Sequence, residues 1–214
     1  FTKKHFDEKS GTLFKCDGSG MFCDTAGTPA GGTPNLTYLG EDTTMYYSSY
    51  NLKSDNGWKD LLELIQSINL GTIPIDSILN VDRTLWAFAV NQVVSNLDTY
   101  NGYYVHNYYL YQSKDNLFQM IPWDLSESFV GALLGHHAVK DSLYHYDPYY
   151  GYNCYWYPLI TQLISNPNSQ NGKIYSAHLR TIINESLDPN IISNNVNNLQ
   201  NLATNAATLD QYKV

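Results

Sequence analysis

Two carboxylates and one amide flank a predicted β-hairpin in the middle of the chain. Asp98 lies in the loop before the hairpin, Asn107 lies on its first strand, and Asp124 follows its second strand. Because a hairpin brings its two outer ends together, we expect Asp98 and Asp124 to converge, with Asn107 close by. Carboxylate and amide oxygens are hard ligands that suit Mg²⁺, and a second carboxylate could serve as a general base. The spacing therefore favours metal-assisted chemistry at one end of the hairpin.

The order of these three residues matches the arrangement that protein kinases use for phosphoryl transfer. In that arrangement an aspartate accepts the proton of the acceptor hydroxyl, while an asparagine and a second aspartate hold magnesium on the ATP phosphates. Positioning and charge stabilisation supply most of the catalysis, so few protein groups are needed. The sequence contains neither HRD nor DFG. A metal-dependent phosphohydrolase that uses the same two aspartates is therefore a further interpretation.

Each of the three residues also has an ordinary structural interpretation. Asp98 could form a turn, and Asn107 could be an edge-strand residue. Asp124 could cap the turn that follows it, with Trp123 packed in the core. The apolar neighbours Trp123 and Leu125 suggest that the Asp124 carboxylate is poorly solvated, and a bound metal would then keep it ionised.

The elements that must position these residues are predicted by hydrophobic periodicity. Helical spacing of apolar residues predicts an amphipathic helix over 58–70. A second helix, apolar on most faces, is predicted to begin with Asp82 as its N-cap. Alternating aromatic and β-branched residues predict the hairpin, with strands 103–112 and 117–123, and Pro122 should end the pairing.

The remaining predicted elements are one short strand and three helices. The strand covers residues 12–16, and the helices cover about 158–165, 173–186 and 189 to near the end of the chain. The chain shows no internal repeat and no sign of a second domain. We therefore expect an α+β fold that is mostly helical.

Composition limits the partners of the chain. Its 214 residues suffice for one sizeable domain, and its net charge of −8 argues against a nucleic-acid backbone as the main partner. No apolar run is long enough to cross a bilayer. The nineteen tyrosines are typical of an extracytoplasmic or carbohydrate-facing protein. Cys16 and Cys23 are close enough in sequence to form a disulfide, and free thiols are equally consistent with the pattern.

Three stretches of the sequence resemble the spore coat protein H (CotH) kinase family. They are KKHFDEKSGTLFKCDGSG, LTYLGEDTTMYYSSYNLKS and LWAFAVNQVVSNLDTYNGYYVHNYYLYQSKDNLFQMIPWDL, which together cover most of residues 3–130. The most specific elements are NLD, HNYYLY and IPWD. The resemblance implies an atypical protein-kinase-like fold. It also implies transfer of phosphate from ATP to serine or threonine of a partner protein with Mg²⁺ or Mn²⁺.

The resemblance implies roles for four residues. Asp98 corresponds to the catalytic aspartate, and Asp124 corresponds to the metal-binding aspartate of the family. Asn107 is similar to the family's strand asparagine and is expected to make a second metal contact. Lys53, in YNLKS, matches a lysine-bearing family segment and could contact the ATP phosphates, although a solvated surface lysine is the ordinary alternative.

The sequence departs from the family pattern in two ways. Family members commonly read PWD-x-D, whereas here Ser126 occupies the position of the second acid and Glu127 follows it. A nucleotide-clamping N-terminal lobe is not visible. We therefore expect residues 1–214 to be a single CotH-kinase-like domain that is mainly the helical C-terminal lobe. The resemblance further implies a secreted, cell-surface or spore-coat location.

A non-catalytic protein of the same fold is the alternative function. The Tyr- and Trp-rich segment 144–158, with Tyr155 and Trp156, could stack on a glycan or bind a protein partner. A histidine-rich segment could be imagined as a metal cluster, but its spacing matches no metal-binding motif, and an aromatic-rich surface loop explains it better. The residues of that segment are His136, His137, His145 and Asp147.

Overall fold

The computed structural model describes residues 1–8, 10–18, 32–102, 104–129, 148–149 and 157–211. This part of the chain combines six α-helices with one antiparallel sheet, so the α+β prediction is confirmed. The helices are α1 (Thr2–Phe6), α2 (Trp58–Leu70), α3 (Val81–Val93), α4 (Pro158–Leu163), α5 (Gln170–Glu185) and α6 (Pro189–Leu209). The strands are β1 (Thr12–Cys16), β2 (Tyr50–Leu52), β3 (Tyr108–Gln112) and β4 (Phe118–Pro122).

The sheet is built around the predicted hairpin. Its strand order is β2-β1-β3-β4, and every neighbouring pair is antiparallel. The hairpin prediction is confirmed, and pairing ends at Pro122, which lies opposite Tyr108. The first strand is shorter than the predicted 103–112, because Asn107 adopts a left-handed backbone conformation with φ 53° that ends the extended run.

The two faces of this sheet differ in burial. Side chains of alternate residues on β1, β3 and β4 point into the interior and are almost fully buried. These residues, which we call the core face, are Phe14, Cys16, Tyr108, Leu110, Phe118 and Met120. The opposite, outer face carries Leu13, Lys15, Tyr109 and Ile121. At its far end the ring of Phe6 from α1 contacts Tyr111 at 4.8 Å and covers it.

Helices α2 and α3 pack their apolar residues into the same core as the core face. The 58–70 prediction for α2 is confirmed, and this helix ends at Gly71, whose φ of 64° permits the left-handed cap. The N-cap prediction for α3 is wrong. Asn80 is the cap, since its side chain accepts a hydrogen bond from the Arg83 N–H at 3.0 Å. Asp82 lies in the first turn instead and contacts His178 of α5 at 2.8 Å.

All three predicted C-terminal helices are present. Helix α5 begins earlier than expected, because Ser169 caps it by accepting a hydrogen bond from the Gly172 N–H. Helix α6, every residue of which the structure describes, has no buried side chain. Its apolar residues Val196, Leu199 and Leu202 are exposed. No described helix is both long and apolar enough to cross a membrane.

Buried tyrosines fix the loop that precedes the sheet edge. The hydroxyl of Tyr50 accepts a hydrogen bond from the Leu36 N–H at 2.8 Å, and the hydroxyl of Tyr100 donates to the Asn35 carbonyl at 3.1 Å. The hydroxyl of Tyr108 donates to the carbonyl of Pro34. These tyrosines therefore satisfy loop backbone groups in the interior, a role that composition did not suggest.

Cys16 lies in β1 as a free, fully buried thiol. Of the two alternatives left open for this residue, the structure has the free thiol. Burial raises the pKa of the thiol well above its usual value, so the sulfur is neutral at ordinary pH.

Candidate functional site

A buried chain of amide side chains fixes the loop that carries Asp98. The side chain of Asn96 accepts a hydrogen bond from the Asp98 N–H at 3.1 Å and donates to Asn91 of α3 at 3.2 Å. Asn91 in turn donates to the hydroxyl of Thr99 at 3.1 Å. Because Asn91, Asn96 and Thr99 are all buried, these hydrogen bonds are shielded from water. The backbone at Asp98 is therefore anchored to α3.

The carboxylate of Asp98 is engaged at both oxygens. His106 Nε2 contacts Oδ1, and the Asn107 side chain donates a hydrogen bond to Oδ2 at 2.8 Å. Only 14% of the Asp98 side chain is exposed. Each carboxylate oxygen has two lone pairs, so a further hydroxyl can still donate to Asp98. Sequence reasoning missed His106, although its place beside Asn107 in HNYYLY was a usable signal.

Asn107 links Asp98 to the end of β4. Its side chain bonds to Asp98, and its carbonyl oxygen accepts a hydrogen bond from the Trp123 N–H at 3.0 Å. Asn107 lies directly before β3 and is buried, so the edge-strand interpretation is wrong. Both Asn107 and Asp124 have positive φ, 53° and 49°. Such conformations are uncommon outside glycine and concentrate at functional sites.

Asp124 lies at the surface, in contrast to the poor solvation expected from its neighbours. Trp123 is 52% exposed and Leu125 is 44% exposed, so neither buries the carboxylate and Trp123 is not part of the core. The Ser126 hydroxyl donates to Asp124 Oδ1 at 2.7 Å, and the Ser126 N–H donates to the same oxygen at 3.3 Å. The turn-capping interpretation is therefore confirmed.

Hydrogen bonds from Ser126 lower the pKa of Asp124. The Ser126 hydroxyl lowers its pKa most, followed by the Ser126 N–H and then by the positive charges of His106 and Lys15. The carboxylate thus needs no metal to remain charged at neutral pH, and the reason first given for its ionisation is wrong.

Lys15 reaches the same end of the sheet from the outer face. It lies opposite Tyr109 in β3, and Tyr109 lies opposite Ile121 in β4. Its ammonium forms an ion pair with Asp17, which raises the lysine pKa, and the charges of Asp17, Tyr109 and Asp124 raise it further. Sequence reasoning missed Lys15. Side chains in TLFKC alternate between the two faces of the strand, so Lys15 lies on the other face from the buried Phe14 and Cys16. This alternation could have identified Lys15 from the sequence.

Lys53 does not join this cluster. It is exposed, and its backbone N–H donates to the Leu13 carbonyl at 2.8 Å, which places it toward the other end of β1 from Asp17. Among the described residues, its side chain forms no ion pair. The structure thus brings Asp98, Asn107 and Asp124 together and leaves Lys53 apart, and its phosphate role stays a prediction.

Two cavities adjoin the cluster. One, of about 570 Å³, lies at the β2 edge of the sheet and is lined by polar and aromatic side chains that include Lys15, Asp17, Ser48, Ser49, Tyr47 and Trp58. The other, of about 250 Å³, lies on the outer face against Leu13, Tyr109, Ile121 and Trp123. There the Tyr109 and Trp123 rings meet edge to face at 5.4 Å. One cavity therefore contains Lys15, and the other contains Trp123, the residue before Asp124.

Asn107 and Asp124 offer oxygen atoms that suit a divalent cation. The Asn107 side chain donates to Asp98 through its nitrogen, which turns its oxygen away from that bond, and Ser126 occupies only Oδ1 of Asp124. Magnesium is commonly held by one or two carboxylates together with phosphates and water, so this donor set fits it. Within the described ranges no group of three or more His, Cys, Asp or Glu side chains is arranged to hold a metal.

Two predicted features fall mainly outside the described residues. They are the histidine-rich segment and the aromatic segment 144–158 with Tyr155 and Trp156. At the end of the aromatic segment, Tyr157 is buried, and its hydroxyl donates to the Gly102 carbonyl at 2.5 Å. That tyrosine therefore packs behind the Asp98 loop.

The structure is an α+β domain in which Asp98, Asn107 and Asp124 lie at the open end of a hairpin. The family model described as CotH kinase protein matches residues 1–214, so the chain belongs to the CotH kinase protein family. This family membership suggests a kinase-like role. No curated protein and no solved structure matches the chain significantly.

Proposed function

We propose that the chain acts as an atypical protein kinase. The kinase would transfer the γ-phosphate of ATP to serine or threonine side chains of a partner protein. The observation that carries the proposal is the double role of Asn107, which bonds to Asp98 through its side chain and to the residue before Asp124 through its carbonyl. Membership of the CotH kinase protein family supports the same class of reaction.

Asp98 is the group that handles the proton in this proposal. The acceptor hydroxyl donates a hydrogen bond to the Asp98 carboxylate, and its oxygen forms a bond to the γ-phosphorus. The bond from that phosphorus to the β–γ bridging oxygen breaks, ADP keeps the electron pair, and the hydroxyl proton passes to Asp98. His106 and Asn107 fix the carboxylate during this step, since each contacts one of its oxygens. No atom changes its oxidation state in this step.

Asp124 and Asn107 would hold Mg²⁺ or Mn²⁺ through their side-chain oxygens. When bound, the metal neutralises charge on the phosphates. The left-handed backbone at both residues supports this role, because strained conformations persist where the surrounding structure over-determines them. The apolar cavity against Tyr109 and Trp123 offers aromatic surface for the nucleotide base.

A non-catalytic binding module of the same fold is the second candidate. It is favoured by Ser126, which stands where the family commonly has an acid and which occupies one oxygen of Asp124. Such a protein would bind a glycan or a protein partner. For either function the family resemblance supports an extracytoplasmic location, which stays a proposal.

Phosphate transfer by the full-length protein that contains this chain tests the proposal. The protein is incubated with γ-labelled ATP and Mg²⁺ or Mn²⁺, beside the variants Asp98→Asn and Asp124→Asn. We expect wild type to incorporate label and each variant to lose on the order of 10²–10⁴-fold in rate. Asp115→Asn is the matched control, because Asp115 is exposed in the turn at the opposite end of the hairpin and should retain full activity.

The outcomes separate the two candidate functions. Thermal unfolding of each variant must match wild type, so that lost activity reports on chemistry rather than on folding. A folded wild type that incorporates no label with either metal would overturn the kinase proposal in favour of the binding module. Equal activity in Asp98→Asn and Asp115→Asn would remove Asp98 from the reaction.

A further inference from the structure

The candidate site has a charge imbalance that ATP would increase. Asp17, Asp98 and Asp124 all carry carboxylates near one end of the sheet, and ATP adds several negative charges of its own. A divalent cation offsets only part of that charge, and phosphate sites therefore usually recruit a basic side chain as well. Lys53 was the predicted candidate, but its side chain is exposed and is not joined to the cluster.

We propose that Lys15 is the phosphate-binding lysine of this site. In the resting protein its ammonium is paired with Asp17, and in the liganded protein it contacts the phosphate chain of a nucleotide held at Asp124. This inference rests on the proposed function and names a residue of that same site. The polar cavity beside Lys15 receives part of the same ligand.

The sheet register places Lys15 suitably for this contact. Lys15, Tyr109 and Ile121 form one row across the outer face, and the chain continues from Ile121 through Trp123 to Asp124. The stem of a lysine can lie along such a surface while its ammonium stays accessible, and 28% of the Lys15 side chain is exposed.

The cavity next to Lys15 has the size and lining of a ligand site. Its volume of about 570 Å³ falls within the usual range for small-molecule pockets. The hydroxyl-bearing residues Ser48 and Ser49 supply hydrogen-bonding groups. Tyr47 and Trp58, whose ring centroids lie 4.3 Å apart, supply aromatic surface. A polar pocket that contains one lysine suits the phosphates and the sugar of an anionic ligand.

Asp17 is the resting partner of Lys15 and therefore a competitor of the ligand. Removing its charge leaves the ammonium without that ion pair and available to phosphate. We expect Asp17→Asn to bind nucleotide several-fold more tightly than wild type. A merely structural role for the pair would predict the opposite, because loss of the ion pair would loosen the site.

Nucleotide binding to the full-length protein, measured by titration calorimetry with MgATP, tests the inference. We expect Lys15→Met to bind MgATP at least about tenfold more weakly, because it lacks a charge-assisted hydrogen bond. Lys15→Arg should restore most of the affinity. Lys114→Met is the matched control, because Lys114 is exposed in the turn at the opposite end of the hairpin, and it should stay within about twofold of wild type.

Two further ligands test which part of the nucleotide Lys15 contacts. Inorganic triphosphate should lose affinity with Lys15→Met as MgATP does, whereas adenosine should bind wild type and variant equally. Equal MgATP affinity in Lys15→Met and wild type would overturn the inference while leaving the proposed function intact. A wild-type protein that binds neither MgATP nor triphosphate would overturn the proposed function itself, and the inference with it.

Discussion

The core face and the outer face of the sheet are formed by the same strands but differ in burial and in residue type. On the core face Cys16 and Tyr108 sit side by side in complete burial, with Tyr50 of β2 completing the row. One residue along on β1 and β3, the outer face has Lys15 beside Tyr109, partly exposed and next to Asp124. The comparison teaches that burial dictates residue type on one face, whereas the other face keeps a charged side chain and a partly exposed ring in the adjacent row.

Alkaline pH should destabilise the protein through the core face, and this is the largest effect expected. Burial raises the pKa of Cys16, Tyr50, Tyr100 and Tyr108 above their usual values. Stability from these neutral groups is complete below their unfolded-state pKa, near 10 for tyrosine, and is lost as pH rises from there toward the raised folded values. Each group should then lower the free energy of unfolding by about 1.4 kcal/mol per pH unit.

Urea unfolding at a series of pH values from 8 to 11 measures this slope. Tyr47→Phe is a useful control, since Tyr47 is exposed and its loss should leave the slope unchanged. A stability that stays flat between about pH 10 and 11 would contradict the burial of these hydroxyls.

Neighbouring residues of β3 provide the sharpest test of the two faces. Leu110 is fully buried on the core face, so Leu110→Ala should lower the free energy of unfolding by about 3 kcal/mol, within the usual range for buried leucine. Tyr109→Ala, on the outer face, should cost about 1 kcal/mol or less, because partial exposure leaves little transfer free energy to lose. Chemical denaturation of both variants checks the difference.

The same two substitutions should affect ligand binding in the reverse order. Tyr109→Ala should weaken MgATP binding, because it removes aromatic surface beside Trp123, whereas folded Leu110→Ala should bind normally. If both variants lost stability equally and neither lost affinity, the distinction between the faces would be wrong.

Replacing Asn96 tests how strongly the position of Asp98 depends on the buried hydrogen bonds of its loop. Asn96→Ala removes the acceptor for the Asp98 N–H and leaves a buried oxygen of Asn91 without its donor. An unsatisfied buried group costs about 1–3 kcal/mol, so stability should fall by about 2 kcal/mol. Phosphate transfer should fall in kcat more than in KM for ATP, since Asp98 orients the acceptor hydroxyl. Asn56→Ala, at an exposed position before α2, is the control.

Sequence patterns predicted the elements of this chain better than the contacts between them. The bounds of α2 and the pairing of β3 with β4 follow from local periodicity, and the order of Asp98, Asn107 and Asp124 along the hairpin was enough to place them at one end. These features depend on residues close in sequence, where period and turn chemistry act directly.

Features that depend on distant residues were not predictable in the same way. Lys15 reaches the site only because β1 pairs with β3, more than ninety residues further along the chain. The exposure of Trp123 likewise depends on what covers the outer face, which periodicity alone does not specify. The three-residue strand β2 is too short to give an alternating pattern. Register between remote strands, and not local propensity, decided each of these outcomes.

Ser126 should produce the smallest effect, confined to the outer end of the site. Ser126→Ala removes the hydroxyl that contributes most to the lowered pKa of Asp124, so that pKa should rise toward its usual value. Because Asp124 is exposed and stays ionised at neutral pH in either case, thermal stability and transfer at neutral pH should barely change. Carboxyl NMR titration of Asp124 in both proteins measures the shift, and an unchanged pKa would show that the hydroxyl is not its main cause.

The substitution Ser126→Asp tests the same position by adding a negative charge instead of removing a hydroxyl group. An aspartate adds carboxylate oxygens beside Asp124. Metal affinity should therefore rise, because Mg²⁺ and Mn²⁺ prefer anionic oxygen ligands, and Glu127→Gln serves as the control for the neighbouring charge. If Ser126→Asp bound Mn²⁺ no more tightly than wild type, the oxygens at the end of β4 would not form the metal site, and the metal role of Asp124 would fall with it.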